Sequence, residues 1–313
     1  MMPRTSVVMP FLDAQAYLLQ AIESVQAQTD DEWELLLVDD GSTDAGPEVA
    51  AAAASTDPRI RLLPRPPGQR GGAAGARNLA LREARGEFVC FLDADDLFLR
   101  AKLERQVAVL RQHPQAAMVL GPTYWWHPDQ PALDWVEPVR LRGLLAPPYV
   151  LDQVILMLRA DVPCINAVLV RRSAIEEVGG FEEQFRLYED QTLWVKLMSA
   201  YPVYADYVVT ARYRQHSASV SARAQDDGLY QRLGPHPARE PFLDWTRSYL
   251  QAHGLLASST RQALRCAFAR VGKERDALTA GDRVLLAHQA MERKLRWTAQ
   301  RFGRVARRLQ GSR

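Results

Sequence analysis

The chain has 313 residues, 47% apolar and 24% charged, a balance that excludes a disordered or fibrous protein and allows a sizeable core. Lys+Arg 39 against Asp+Glu 37 leaves a formal charge of +2, too small to argue for a nucleic-acid partner. Cys90, Cys164 and Cys266 are far apart with no CxxC pair, which excludes a disulfide framework and a cysteine zinc site and implies buried thiols in a reducing compartment.

At the N-terminus, Ser6–Met9 is a short apolar run that Pro10 is expected to end, and Pro10 and Asp13 interrupt it before a signal-peptide core forms. Asp13 is read as a helix cap, with Leu18, Ile22 and Val25 following at helical spacing. Leu35–Val38 is a second strand, ending abruptly in Asp39-Asp40-Gly41-Ser42. A helix from about Pro47, a strand Ile60–Leu63, a Pro/Gly/Arg loop from Pro64 to Gly72 and a helix near Gly75–Arg85 come next. Phe88–Leu92 is apolar and ends in Asp93-Ala94-Asp95-Asp96, and is followed by a helix over about Ala101–His113 and a strand at Ala117–Leu120. Residues 125–163 are rich in Pro and aromatics and are read as loop and lid. Ala167–Arg171 is strand-like, Ser173–Val178 and Asp190–Ala200 are helical, and stretches beyond about Ala222 are helical and rich in arginine. No run of about 18 apolar residues exists to span a bilayer, so a cytoplasmic protein is expected.

Strand, helix, strand, helix in this order implies a doubly wound, mostly parallel α/β sheet with right-handed crossovers. Ligands of such sheets lie outside the carboxyl ends of the strands. That rule gathers Asp39, Asp40, Asp93, Asp95 and Asp96 at one sheet edge, where their mutual repulsion calls for cations or hydrogen-bond donors. Asp93 and Asp95 form a DxD pair with the hard oxygen atoms that Mg²⁺ or Mn²⁺ prefers; the alternative is that Asp95 and Asp96 are caps and surface charges. Gly71-Gly72-Ala73-Ala74-Gly75 breaks the GxGxxG spacing, which argues against a dinucleotide fold. Beside Arg70 and Arg77, the same glycines fit a loop that approaches a phosphate.

Seven blocks, in order, resemble glycosyltransferase family 2: Ser6-Val7-Val8-Met9-Pro10, Val38-Asp39-Asp40-Gly41-Ser42-Thr43-Asp44, Gly75-Ala76-Arg77-Asn78, Phe91-Leu92-Asp93-Ala94-Asp95-Asp96, Val178-Gly179-Gly180-Phe181, Tyr188-Glu189-Asp190 before Leu193-Trp194, and Tyr213-Arg214-Gln215-His216 with Ser219. The resemblance covers about residues 4–221 and implies a GT-A fold that transfers a sugar from a nucleotide diphosphate, usually with inversion. It implies that Asp40 accepts the N3–H of a pyrimidine, supported by Asp39, and that Pro10, Arg70, Arg77, Asp93 and Ala94 line the donor nucleotide. Asp95 is the implied carboxylate for a divalent cation (Mn²⁺ or Mg²⁺), joined by Asp93, with His216 a further candidate whose alternative is a structural histidine. Asp190 is the implied general base, although Glu189 and Asp190 also suit a helix N-terminus. At the first block the chain departs from the family, reading Pro10-Phe11-Leu12-Asp13, and Leu12 cannot stack on a base as an aromatic does.

The expected organisation is a catalytic unit over 1–221 and a helical extension over 222–313. Within the extension, Met291, Leu295, Thr298, Phe302, Val305, Ala306 and Leu309 fall on one helical face, and Met291–Arg313 carries eight Lys/Arg and one acid. This basic amphipathic helix near 291–310 suits an anionic membrane surface; the alternatives are packing on the catalytic unit or on a partner. The expected partners are a nucleotide-sugar donor and a sugar, lipid-linked or protein acceptor, with no nucleic acid. Two rival readings stand beside the transferase: a catalytically silent scaffold on the same fold, and a nucleotidyltransferase, which needs a Gly-rich, Lys-containing loop that Met9–Ala14 lacks.

Overall fold

The computed structural model describes residues 3–65, 71–160, 162–229 and 237–291. The first half alternates β1 (Thr5–Phe11), α1 (Leu18–Gln26), β2 (Trp33–Asp39), α2 (Gly46–Thr56), β3 (Ile60–Leu63), α3 (Gly72–Glu83) and β4 (Phe88–Phe91), in the order read from the sequence. Next come β5 (Leu97–Phe98), α4 (Lys102–Gln112), β6 (Met118–Leu120), β7 (Thr123–Trp126), β8 (Trp135–Glu137) and β9 (Gly143–Leu145). The remainder comprises β10 (Val168–Arg171), α5 (Arg172–Val178), α6 (Glu189–Ala200), β11 (Val203–Ala205), β12 (Ala211–Arg214), α7 (Val220–Asp226), α8 (Arg239–Ala252) and α9 (Ser258–Arg270).

An eight-stranded sheet runs β3-β2-β1-β4-β10-β6-β11-β9, and a four-stranded sheet runs β5-β12-β7-β8. In the large sheet β10 is antiparallel to both its neighbours and β9 is antiparallel to β11, so the sheet is mixed but mostly parallel. Both faces are buried. Val8, Leu36, Val38 and Val89 enter one apolar cluster, and Val7, Met9, Leu35, Leu37 and Cys90 enter the other, following the two-residue alternation of strands. From the extension, Phe242, Leu243 and Leu250 of α8 and Leu264 and Phe268 of α9 join the first cluster.

Three expectations need correction. The strand β1 does not stop at Pro10 but continues to Phe11, paired with Asp39 of β2. Val8 offers its carbonyl to Leu92 on the β4 side and Phe11 offers its own to Asp40 on the β2 side, so Pro10 faces the β4 side. The β4 ladder has ended there, and the missing N–H breaks nothing. Asp13 caps no helix, because α1 starts only at Leu18; with φ 48 it turns back, and its Oδ1 accepts from the Thr43 amide at 2.7 Å. Residues 125–163 are not simply loop and lid. They hold half of β7, all of β8 and β9, and a π-helical turn, Leu151–Leu156, with Leu151, Val154, Ile155 and Leu156 buried. Strands of three or four residues are too short to display alternation, and β7–β8 is instead marked by Trp125 stacked on Trp135 at 5.5 Å. The basic segment near 291–310 lies outside the described residues except at Met291. Among the described residues no helix is long and apolar enough to cross a membrane.

Candidate active site

The carboxyl ends of β1, β2 and β4 lie side by side, and each acidic residue there has its own donor. Asp39 Oδ1 accepts from the amides of Gly41 (3.1 Å) and Ser42 (2.8 Å) and from the Ser42 hydroxyl (2.7 Å), which fixes the turn after β2. Asp40 is buried and takes the guanidinium of Arg65 together with the Gly71 amide at 3.3 Å. Asp93 accepts from Arg77 at 2.6 Å and Asp95 faces His216 Nε2 at 2.9 Å. Pro10 and Ala94 are buried backbone positions beside these acids. Leu12, 46% exposed, occupies the rim. Arg70 lies outside the described residues.

Asp96 is neither partly exposed like Asp93 and Asp95 nor the surface charge of the alternative reading. It is fully buried, accepting from Asn166 Nδ2 at 2.6 Å and from the Arg214 amide at 2.8 Å. Burial first, then the charges of Asp95 and Asp93, hold its proton affinity well above the usual carboxylate range. Asp96 therefore ties the DxD turn to β12, whose chain continues to His216. Arg214 closes the same joint, donating through Nε to the Asp95 carbonyl at 2.6 Å.

Arg77 lies on α3, which begins at Gly72, within the helix expected near Gly75–Arg85. Its side chain is 2% exposed, and its two Nη atoms reach Asp93 at 2.6 Å and Glu189 at 3.1 Å. The neighbouring Asn78 donates to the Phe181 carbonyl and accepts from the Phe181 amide, both at 2.9 Å. Gly180 is required at this contact: its φ is +72, and an added Cβ would meet Asn78 Oδ1 at 2.7 Å. The blocks Gly75–Asn78, Asp93–Asp96, Val178–Phe181 and Tyr188–Asp190 thus lock around one arginine–asparagine pair.

Glu189 is taken by Arg77, and Asp190 follows it in the first turn of α6. Asp190 is partly buried, and its carboxylate accepts from the Gln191 amide at 2.8 Å. Burial, then the charge of Glu189, pushes its proton affinity up to about 7, against opposing contributions from Arg77 and that amide. Asp190 lies in the first turn of α6 and accepts from that turn's Gln191 amide, as the helix N-terminus reading has it, but it is not the N-cap. The cap position is Tyr188, and no side-chain capping bond is made.

The divalent cation implied by the sequence can be tested against these atoms. Asp95 Oδ2 and His216 Nε2 converge, both side chains are partly exposed, and His216 Nδ1 is buried without a hydrogen-bond partner. Among the described residues no group of three or more metal-ligating side chains occurs. The two residues fit an ion that takes few protein ligands and completes its shell with diphosphate oxygens.

Residues 6–179 match the family model of Glycosyl transferase family 2, more than half of the chain. The chain belongs to that family. Among its relatives is an uncharacterized glycosyltransferase of Haemophilus influenzae, 40% identical over 36% of this chain and 44% of its own length. The Escherichia coli UDP-Glc:alpha-D-GlcNAc-diphosphoundecaprenol beta-1,3-glucosyltransferase WfgD is 28% identical over 69% of this chain and 79% of its own. The chain spans 44%, 36% and 30% of the length of three of the relatives it matches. In fold the chain resembles Staphylococcus aureus TarS 1-349 in complex with UDP-GlcNAc, with TM-score 0.63, 16% identity, 91% of this chain and 79% of that one. It also resembles the mannosyltransferase PcManGT from Pyrobaculum calidifontis in complex with GDP-Man and Mn²⁺, with TM-score 0.54, 22% identity, 99% of this chain and 87% of that one. The fold is GT-A, as the sequence implied.

Proposed function

We propose that this chain is a metal-dependent, inverting glycosyltransferase that uses a UDP-type donor and serves bacterial surface polysaccharide or glycoconjugate synthesis. One observation carries the reading: Arg77 joins the DxD turn to the Glu189-Asp190 pair, so the leaving-group side and the base side of a transfer belong to one cluster. In the proposed reaction Asp190 takes the proton of the acceptor hydroxyl. The hydroxyl oxygen attacks the anomeric carbon from the face opposite the nucleotide. The new glycosidic bond forms as the bond to the diphosphate breaks, and that electron pair leaves on the phosphate oxygen. Asp95 and His216 would hold the cation, which when bound would neutralise charge developing on the diphosphate. Arg77 keeps Asp93 and Glu189 in register, and Asp40 reads the base.

The pyrimidine preference follows from Asp40, which when ionised has only acceptors and suits the N3–H of uracil. Calorimetry with UDP and GDP, each with Mn²⁺, tests it: UDP is expected to bind the tighter, and GDP binding alone would overturn the assignment. WfgD, which by name acts on a diphosphoundecaprenol-linked sugar, supports a lipid-linked acceptor for this chain. A cytoplasmic enzyme whose basic segment near 291–310 rests on an anionic membrane completes the proposal, and vesicle sedimentation with and without anionic lipid tests that part.

A further inference from the structure

The backbone that presents Asp190 takes an unusual turn. Tyr188, immediately before α6, is left-handed with φ 66 and ψ 14 and has no side-chain cap bond. A large aromatic residue adopts that conformation at a cost and keeps it only where its surroundings over-determine it. The surroundings that hold Tyr188 come from the far end of the chain.

The Tyr188 ring, 9% exposed, lies nearly parallel to Phe242 of α8, with centroids 5.2 Å apart and planes at 22°. Phe242 is fully buried and continues the stack to Trp245 at 6.1 Å, which in turn meets Tyr249 at 5.6 Å. Phe185, three residues before Tyr188, closes the group edge-on against Phe242 (6.3 Å) and Trp245 (5.8 Å). The helix α8 is itself anchored: buried Arg239 donates to the Ile155 carbonyl at 2.7 Å. On the other side of the turn Glu189 is held by Arg77, and the Glu189 carbonyl accepts from Thr192 Oγ1 at 2.6 Å. Asp190 is thus aimed by two clamps, one from α3 and one from α8. The second lies beyond residues 6–179, the span of the family match.

We infer that Phe242 is a positioning residue for Asp190: by stacking on Tyr188 it fixes the left-handed turn that directs the carboxylate. The inference rests on Asp190 as the base. It makes the C-terminal extension part of the catalytic apparatus rather than an appendage.

The test compares Phe242→Leu, Asp190→Asn and the double variant in the full-length chain. It uses the UDP-sugar donor and acceptor that support turnover, with donor affinity and melting temperature measured alongside. Leucine keeps the site apolar but cannot stack, so Phe242→Leu is expected to fold. It should bind UDP with unchanged affinity, lose about tenfold or more in kcat, and shift the acid limb of its pH–rate profile. In the Asp190→Asn background the same change should cost no further turnover, because coupled residues are not additive. Near wild-type turnover for Asp190→Asn alone would defeat the base reading itself. A kcat loss for Phe242→Leu that recurs undiminished in the Asp190→Asn background would overturn the positioning role while leaving the base intact. Unchanged kcat and pH limb in Phe242→Leu would overturn it too. If Phe242→Leu does not fold, Phe242→Met takes its place with the same expected outcomes, since methionine fills the apolar site but carries no ring to stack on Tyr188.

Discussion

Asp190 titrates near 7 because it is buried beside Glu189, and a base must be ionised before it can accept a proton. Turnover of the free enzyme should therefore rise with pH through about 7, on a single acid limb that Asp190→Asn abolishes. That variant should lose roughly 10²-fold or more in transfer while keeping donor affinity. Stability moves the other way. The native carboxyl binds its proton more tightly than the unfolded one, so between the ordinary 3.8 and about 7 the native state holds the extra proton and stability falls as pH rises. Above that window Asp190→Asn should melt higher than wild type, having lost a buried charge beside Glu189; scanning calorimetry at pH 8 checks the sign. Asp95 behaves differently, being 27% exposed with His216 as its side-chain partner. Asp95→Asn should leave the melting temperature nearly unchanged and remove the Mn²⁺ dependence of UDP binding; calorimetry showing that dependence intact would take Asp95 out of the cation site. The acids themselves were legible because each ends an apolar run. Their donors were not. Arg65, Asn166 and Arg214 lie 25, 70 and 118 residues from the acids they serve, and no local pattern announces pairing at that range. Asp96 looked like Asp95 in sequence and became a buried tie only through those partners.

At the scale of elements, Arg77 joins α3, the turn after β4 and the start of α6 in one buried contact. Removing it leaves Asp93 and Glu189 facing each other without their shared cation. Arg77→Met is expected to cost about 1–3 kcal/mol of stability, because the two carboxylates left behind are partly exposed to water, and to lower donor affinity and turnover together. Arg77→Lys should recover only part, because one ammonium cannot span two carboxylates as the planar guanidinium does. Urea unfolding measures the first effect, and transfer kinetics on the folded fraction measures the second. The elements legible in the sequence were those with a strong period or a sharp end: β3 was read at its observed limits, and β2, α4 and α6 to within two residues. The stretch from β7 to β9 was not legible. Its strands are short, Pro and aromatic residues interrupt them, and their order is set by pairing with β12 and β11, far along the chain. The reversal of β10 was likewise invisible, since direction in a sheet depends on the route of the connection and not on the composition of the strand.

For the molecule as a whole, the sequence divides near residue 221, and the packing argues that this division is not a boundary of folding. Phe242, Leu243, Leu250, Leu264 and Phe268 of the extension are buried in the same apolar cluster as Val8 and Leu36 of the central strands. At about 1.5–3 kcal/mol for each large side chain withdrawn from water, their burial is a favourable contribution as large as the roughly 5–15 kcal/mol net stability of a typical domain, before the entropy of ordering the two helices is subtracted. Arg239 and Arg270 add buried contacts, reaching the carbonyls of Ile155 and Met157 at 2.7 and 2.5 Å at the end of the π-helical turn. A chain ended after Asp227 keeps every acid of the candidate site but uncovers this face. It is expected to unfold at much lower denaturant concentration or to aggregate, and to lose UDP binding with the fold rather than by losing a ligand-contacting residue. Ending the chain after Met291 keeps α8 and α9 and should leave both folding and UDP binding intact. Urea unfolding and calorimetry on the two truncations separate the cases. A chain ended at Asp227 that unfolds cooperatively at the wild-type midpoint would show that the extension is an independent appendage, and the shared apolar cluster would then contribute little to stability.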